Sequence, residues 1–276
     1  MVPPRFEIKL WGCRGSLPVS GPDFQVFGGN TTCFEVRCGP DVILFDAGSG
    51  IYQASAALKA AGVTDFTLFF SHWHYDHIMG LPFFVPLYDP ASRLRVFSGH
   101  MPDAMTTREM LSNFMRPPFF PIGPDMCCAN IDFHDFHAGD ILSPHEGVTL
   151  RTGMLNHPGN AVGYRIEFGG RVIAIITDTE HVGTELDPAV IDLIRDADLF
   201  LYDATFEDAE MEVFRGFGHS TWQHGLRLAK AAGAKRVGFV HHSIARTDAE
   251  LLAIEALAQA ELPGAFCGRD FQVIAV

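Results

Sequence analysis

No apolar run in this 276-residue chain approaches the ~20 residues that crossing a bilayer requires, so no membrane span is expected. The start, Met-Val-Pro-Pro-Arg-Phe-Glu-Ile-Lys, lacks the apolar stretch of a signal peptide, and a cytoplasmic address is the expectation. Basic charge is also scarce: 20 Lys and Arg stand against 33 Asp and Glu, a formal net charge of −13. The cations are scattered rather than gathered into a stripe, which argues against a long nucleic-acid partner but not against a small phosphate ester. The six cysteines do not form the dense framework of a small disulfide-bonded protein and read as reduced thiols. Cys13, Cys33 and Cys38 lie in or beside strand-like segments, and the adjacent pair Cys127-Cys128 lacks zinc-finger spacing. Repeats, low-complexity tracts and charged tails are missing. What remains is a chain 47% hydrophobic with 24 Phe, long enough for one Phe-rich globular domain over residues 1–276.

Against this background the segment His72-Trp73-His74-Tyr75-Asp76-His77 stands out, with four potential metal ligands in six residues. It follows the apolar run Phe66 to Phe70, which reads as a buried strand, with Ser71 opening the turn. In extended or turning backbone His72 and His74 project to one side, and Asp76 and His77 follow as the chain tightens. Imidazole and carboxylate together suit zinc, iron or manganese, whereas calcium demands oxygen ligands.

Strands are expected at Phe6 to Trp11, Phe34 to Arg37 and Val42 to Phe45, the last two joined through Gly39-Pro40-Asp41. Ile51 to Ala61 has helical spacing with Gly62 as its stop. A strand at Arg95 to Ser98 and a helix at Asp103 to Phe114 precede the apolar Arg116-Pro-Pro-Phe-Phe-Pro121. The second half follows the same pattern, with a hairpin of Gly163 to Phe168 and Arg171 to Ile176 around Gly169-Gly170, then a helix at Pro188 to Arg195. A strand at Leu199 to Tyr202, a helix at Trp222 to Ala232, a strand at Arg236 to Val240 and a helix at Asp248 to Glu261 complete it. Two runs of hairpin strands, each followed by helices, predict an α+β fold of two face-to-face sheets with helices outside, a four-layer αββα sandwich.

Polar residues recur where apolar strands stop. Asp46 ends Val42 to Phe45, Asp178 ends Val172 to Thr177, Asp203 ends Leu199 to Tyr202, and His241-His242 end Val237 to Val240, while His157 follows Leu155-Asn156. A lone strand-terminal Asp is commonly a helix cap. Five such positions on one edge of a sandwich predict a shared cleft.

Taken together, Phe45-Asp46-Ala47-Gly48, the His-x-His-x-Asp-His cluster, His157, Asp178 and His241 resemble the metallo-β-lactamase superfamily over nearly the whole chain. The resemblance implies a first metal on His72, His74 and His157 and a second on Asp76, His77 and His241, with Asp178 bridging. It also implies that Asp46 orients the ligand loop, and leaves His242 as an alternative to His241. Trp11-Gly-Cys-Arg-Gly-Ser-Leu-Pro18, Gly28-Gly-Asn-Thr-Thr32, Asp203-Ala-Thr-Phe206 and Gly218-His-Ser-Thr221 look most like the phosphodiesterase branch, which includes tRNase Z and cyclic-phosphate diesterases. There an acidic residue, Glu in the relatives and Asp203 here, pairs with the histidine at His219, which protonates the leaving oxygen. His219 has a structural alternative as a loop histidine capping the Trp222 helix.

The expected chemistry is phosphodiester hydrolysis by a hydroxide held between two divalent ions, oriented by Asp76, with His219 supplying a proton to the departing alkoxide. Zinc is expected, with manganese or iron as alternatives. A flavin-linked iron relative would place Glu where His74 stands. Twenty residues lie between His157 and Asp178 and twenty-four between Asp178 and Asp203, leaving no insertion for a tRNA-docking arm. The expected substrate is therefore a small cyclic or diester phosphate, with Arg14, Arg116 and Arg246 as candidate phosphate contacts. Two other readings stay open: hydrolysis of a thioester, lactone or β-lactam, and a metal-loaded sensor without turnover. The Phe/Pro-rich stretch at about 82–121 reads as a lid over the cleft, a homodimer face, or core.

Overall fold

Apolar segments bounded by Gly, Pro and Asp build two sheets that pack face to face. The structure is a computed structural model describing residues 4–101 and 103–276. Met1–Pro3, within the start read as lacking a leader, and Pro102, inside the Phe/Pro-rich segment, lie outside the described residues. Among the described residues the strands are β1 (Phe6–Gly12), β2 (Cys33–Cys38), β3 (Asp41–Phe45), β4 (Asp65–Phe69), β5 (Arg93–Ser98), β6 (Asn130–Asp135) and β7 (Ile141–Leu142). They continue as β8 (Val148–Leu155), β9 (Ala161–Phe168), β10 (Arg171–Ile176), β11 (Leu199–Asp203), β12 (Val237–Val240), β13 (Ala265–Cys267) and β14 (Val273–Ala275). The helices are α1 (Ile51–Ala60), α2 (Tyr75–Ile78), α3 (Thr107–Phe114), α4 (Pro188–Ile194), α5 (Met211–Phe214), α6 (Trp222–Ala232) and α7 (Asp248–Glu261).

One sheet has the order β14-β1-β2-β3-β4-β5-β6 and the other β13-β12-β11-β10-β9-β8-β7. Each is antiparallel in one half and parallel in the other: β3 through β6 run parallel, as do β10 through β13. The parallel strands are covered on both faces, which is why β3, β4 and β12 read as nearly unbroken apolar runs. The β9–β10 hairpin turns through Gly169 and Gly170, both at positive φ (58° and 76°), a conformation glycine adopts without the steric cost of a Cβ.

Three cores follow. Between the sheets, Phe6, Phe45, Phe69, Tyr164, Ile173 and Val240 interdigitate. One outer core joins the first sheet to α1 and the 81–115 region, and the other joins the second sheet to α4, α6 and α7. Each fully buried Phe or Leu contributes roughly 1.5–3 kcal/mol relative to exposure. The layers are therefore helix, sheet, sheet, helix. Caps set the helix starts: Thr221 accepts from His224 N at α6, and Thr247 with Glu250 forms a capping box at α7. The helix expected from Asp103 starts instead at Thr107, because Thr106 and Glu109 form a capping box there.

The Phe/Pro-rich stretch divides by residue. Phe84, Leu87, Leu111 and Met115 are fully buried in the core, whereas Phe83 and Phe119 are 57% and 76% exposed. Two contacts tie the sheets together beside the histidine cluster: Tyr164 Oη donates to Phe70 O at 2.5 Å, and Val162 N to Ser71 O at 2.9 Å. No helix among the described residues is long and apolar enough to cross a membrane.

Candidate metal centre

The parallel halves of both sheets end at the same edge. Asp46 follows β3, Ser71 through His77 follow β4, Asp178 lies just past β10, Asp203 closes β11 and His241 follows β12. Three of these leave their strands in the left-handed region, at φ 60° for Asp46, 40° for Asp178 and 58° for His241. Such backbone costs of order 1–3 kcal/mol per residue and persists where surrounding contacts enforce it. At Asp46 those contacts are its own N–H to Phe69 O at 2.8 Å and Ala47 N to His77 O at 2.7 Å.

The side chains converge in two groups. Ligand atoms of His72, His74 and His157 lie within 4.8 Å of one another, as do those of Asp76, His77, Asp178 and His241. Asp178 lies between the groups. Its Oδ2 is 3.7 Å from His72 Nε2, 3.8 Å from His157 Nε2 and 3.3 Å from His241 Nε2, and its Oδ1 is 3.2 Å from His77 Nε2. Asp76 Oδ2 sits 3.1 Å from His241 Nε2 and also accepts from Ser16 N at 2.7 Å. All these residues are buried except His74, which is exposed at the mouth of the site.

The electrostatics divide the histidines. Burial, with help from neighbouring imidazoles, holds His72, His74 and His157 below their ordinary pKa, so these rings are uncharged at neutral pH. Burial would lower His77 and His241 as well. The surrounding carboxylates, Asp178 foremost, reverse this, raising His77 well above the usual range and His241 to about 9. Burial likewise opposes ionisation of Asp178, but His241, His77 and His72 hold its carboxyl well below the usual range.

The Nε2 atoms of His72 and His77 are buried without any hydrogen-bond partner. A buried ring nitrogen left without a partner is costly, and a cation bound there would supply one. With three neutral imidazoles on one side and two carboxylates plus two more imidazoles on the other, the donor set fits divalent cations of the zinc, manganese or iron type.

Groups behind the site fix the ring orientations. Asp46 is fully buried, and its Oδ2 takes His77 Nδ1–H at 2.9 Å and the Ser71 hydroxyl at 2.8 Å, while Oδ1 takes Ser71 N–H at 2.8 Å. His157 Nδ1 donates to Gly218 O at 2.8 Å. His241 Nδ1 meets Thr205 Oγ1 at 2.9 Å, and that hydroxyl lies 2.8 Å from Asp203 Oδ1. In each case the contact at Nδ1 leaves Nε2 aimed into the centre. Ser71, Thr205 and Gly218 were not assigned these roles from sequence, because hydrogen bonds spanning 6 to 61 positions leave no local pattern. Gly15 is needed for space, since a Cβ there would stand 2.2 Å from the His241 ring.

His219 Nδ1 is 2.9 Å from Asp203 Oδ2 and 4.0 Å from Asp178 Oδ2. The shorter Asp side chain therefore reaches the histidine. Asp203 is fully buried and also accepts from Thr179 N and Thr205 N, which hold its carboxylate in place. Thr221, not His219, caps α6. His242 turns away, its Nε2 donating to Gly268 O at 2.9 Å. Of the three candidate phosphate contacts, Arg14 is ruled out as a surface cation: it is fully buried and donates to the carbonyls of Gly28, Ser243 and Arg246. Arg246 is engaged by Glu207 and Glu210, and Arg116 is exposed. Sequence offers these arginines only as candidates, because charge is visible in a sequence and its neutralising neighbours are not.

Comparison with known proteins finds matches in both sequence and structure. The family profile described as "Beta-lactamase superfamily domain" matches residues 42–242. Ribonuclease Z of Myxococcus xanthus is 24% identical over 264 residues, covering 78% of this chain and 81% of the relative. Human tRNase Z, short form, superposes with a TM-score of 0.68 at 21% identity, covering 97% of this chain and 98% of that one. A diphosphatase from the PhnP family superposes with a TM-score of 0.67 at 17% identity, covering 98% and 97%.

Proposed function

The chain belongs to the β-lactamase superfamily, and from that premise we propose that it is a binuclear metal-dependent phosphodiesterase acting on a small cyclic or diester phosphate. The observation that carries the reading is the Asp203–His219 pair, which stands 4.0 Å from the same Asp178 carboxylate that lies between the two ligand groups. A carbonyl hydrolase has a use for the ligands but none for a second acid–histidine pair.

His72, His74 and His157 would hold one divalent ion, Asp76, His77 and His241 the other, and Asp178 both. Zinc is proposed ahead of manganese or iron. When bound, such ions lower the pKa of water towards about 7 and neutralise charge developing on phosphate oxygens. Asp76, anchored by Ser16 N–H, orients the attacking group beside Asp178. Asp203 accepts the Nδ1–H of His219, which turns Nε2–H outwards and supports the positive charge the ring carries before it donates. The proton passes from His219 Nε2 to the oxygen whose bond to phosphorus breaks, and Asp203 keeps its own charge state throughout.

Small size is favoured by the net charge of −13 and by the burial of Arg14 and the pairing of Arg246 with Glu207 and Glu210, which remove two of the three candidate phosphate contacts. Ribonuclease Z and the PhnP-family diphosphatase both act at phosphorus–oxygen bonds, which supports the reaction class rather than the substrate. We place the protein in the cytoplasm as a single domain over residues 1–276. Metal-reconstituted protein should hydrolyse bis(p-nitrophenyl) phosphate and leave nitrocefin and a thioester control nearly untouched. The opposite preference would move the protein to carbonyl chemistry.

A further inference from the structure

Neither Glu180 nor His181 is among the proposed metal ligands, yet together they bracket His219. The Glu180 carboxylate accepts Gly216 N–H at 2.8 Å and Gly218 N–H at 2.8 Å, both on the turn leading into His219. On the other side, His181 Nδ1 lies 2.7 Å from Ser220 Oγ, which is also 2.8 Å from the Tyr202 hydroxyl. The residues immediately before and after His219 are therefore each held by one member of a consecutive pair.

The pair is itself anchored. Glu180 N donates to Asn156 O at 2.8 Å and Asn156 Nδ2 to Glu180 O at 2.7 Å, tying it to the residue before His157. The His181 ring stacks on His224 of α6 at 4.0 Å and 9°, which fixes its plane. The turn it holds has little rigidity of its own: Gly216 and Gly218 both sit at φ 86°, where glycine is the residue least able to stay put unaided. Gly218 cannot acquire a side chain instead, because a Cβ would fall 2.4 Å from His157 Nδ1.

We propose that Glu180 and His181 are positioning residues for proton donation by His219, an inference that rests on the phosphodiesterase reading. Neither belongs to the two ligand groups, and each acts through the turn that carries His219. Their work is to hold the His219 backbone so that its ring meets Asp203 on one side and the departing oxygen on the other. Misplacing a catalytic group by about 1 Å costs on the order of a hundredfold in rate.

The test compares two leaving groups on metal-loaded protein. Phenolate, from diphenyl phosphate, needs a proton more than p-nitrophenolate, from bis(p-nitrophenyl) phosphate. Glu180→Ala should lower kcat for the phenyl ester roughly tenfold to a hundredfold, with KM and metal content unchanged. The p-nitrophenyl ester should change by no more than about threefold, because its leaving group departs unprotonated. His181→Ala should act in the same direction. Glu180→Gln keeps an acceptor oxygen and should recover most of the loss. Adding Glu180→Ala to His219→Ala should cost nothing further, since both act at one step. Equal losses on both esters, additive losses with His219→Ala, or loss of metal would overturn the proposal. Amide exchange at Gly216 and Gly218 reads the clamp without turnover: it should accelerate in Glu180→Ala, and unchanged protection would also refute it. If the parent protein, fully metal-loaded, hydrolyses neither ester, the phosphodiesterase reading fails, while the exchange result still decides the clamp.

Discussion

Asp46→Asn isolates one oxygen-for-nitrogen exchange behind the metal centre. The native carboxylate is acceptor-only, and three donors use it: Ser71 N–H, the Ser71 hydroxyl and His77 Nδ1–H. Asparagine can offer one oxygen. The Ser71 amide cannot reverse its polarity, so that oxygen must face it, and the new NH2 faces the His77 ring and the hydroxyl. The ring then has two options. Keeping Nδ1–H leaves two donors opposed in a buried site, at roughly 1–3 kcal/mol. Giving up that proton moves the hydrogen to Nε2, the atom aimed at Asp178 3.2 Å away, and removes the lone pair a cation needs. Loss of such a supporting contact costs about 10–100-fold in metal affinity, or about 1.4–2.7 kcal/mol. A two-site cobalt or zinc titration should show the Asp76, His77 and His241 site weakened by that factor, with the His72, His74 and His157 site little changed. Binding of both ions at parental affinity would refute the tautomer argument, and equal weakening of both sites would show that Asp46 acts on the whole loop.

Gly218→Ala should displace His157, because the added Cβ would lie 2.3 Å from Pro158 Cδ and 2.4 Å from His157 Nδ1 at a φ of 86°; metal analysis should show under-loading of the first site, and full loading would contradict this. Metal uptake at pH 7 should release protons from His77 and His241, both held protonated by the carboxylates around them, and a weakly buffered titration that releases none would contradict the charge assignment. Asp270 gives a stability prediction away from the metals. Burial, only partly offset by hydrogen bonds from Gly29 and Asn30, raises its pKa to about 6. A raised carboxyl stabilises fully below its unfolded value of about 3.9 and loses that contribution as pH rises through the folded value. Measured by urea unfolding, the parent's stability relative to Asp270→Asn should fall by about 2 kcal/mol between pH 4 and pH 7. A constant or rising difference would contradict it.

The six-residue cluster after β4 was legible because its ligands are local: four donors, one turn, an apolar strand in front. Strand-end placement of Asp46, Asp178, Asp203 and His241 was legible for a related reason, since buried parallel strands are continuous apolar runs and their stops are conspicuous. The helices at Trp222–Ala232 and Asp248–Glu261 have the expected bounds because Thr221 and Thr247 cap them in sequence. Elements without such signals were missed. Strand β6, Asn-Ile-Asp-Phe-His-Asp, is a half-exposed edge, and β13 and β14 have three residues each, so pairing across the chain rather than local pattern makes them strands. The left-handed turns at Asp46, Asp178 and His241 are equally silent, as is the role of Glu180, whose hydrogen bonds reach 36 to 38 positions along the chain. Sequence recorded which groups carry charge; only the fold showed that Arg14 spends its donors on carbonyls.

The most direct test of the account is diester hydrolysis followed while metal-free protein is titrated with zinc. With Asp178 placed between both ligand groups, the account predicts that turnover of bis(p-nitrophenyl) phosphate follows occupancy of the second site and reaches a plateau at two equivalents. Full activity at one equivalent, or two bound ions with no diester turnover, would contradict a binuclear phosphodiesterase.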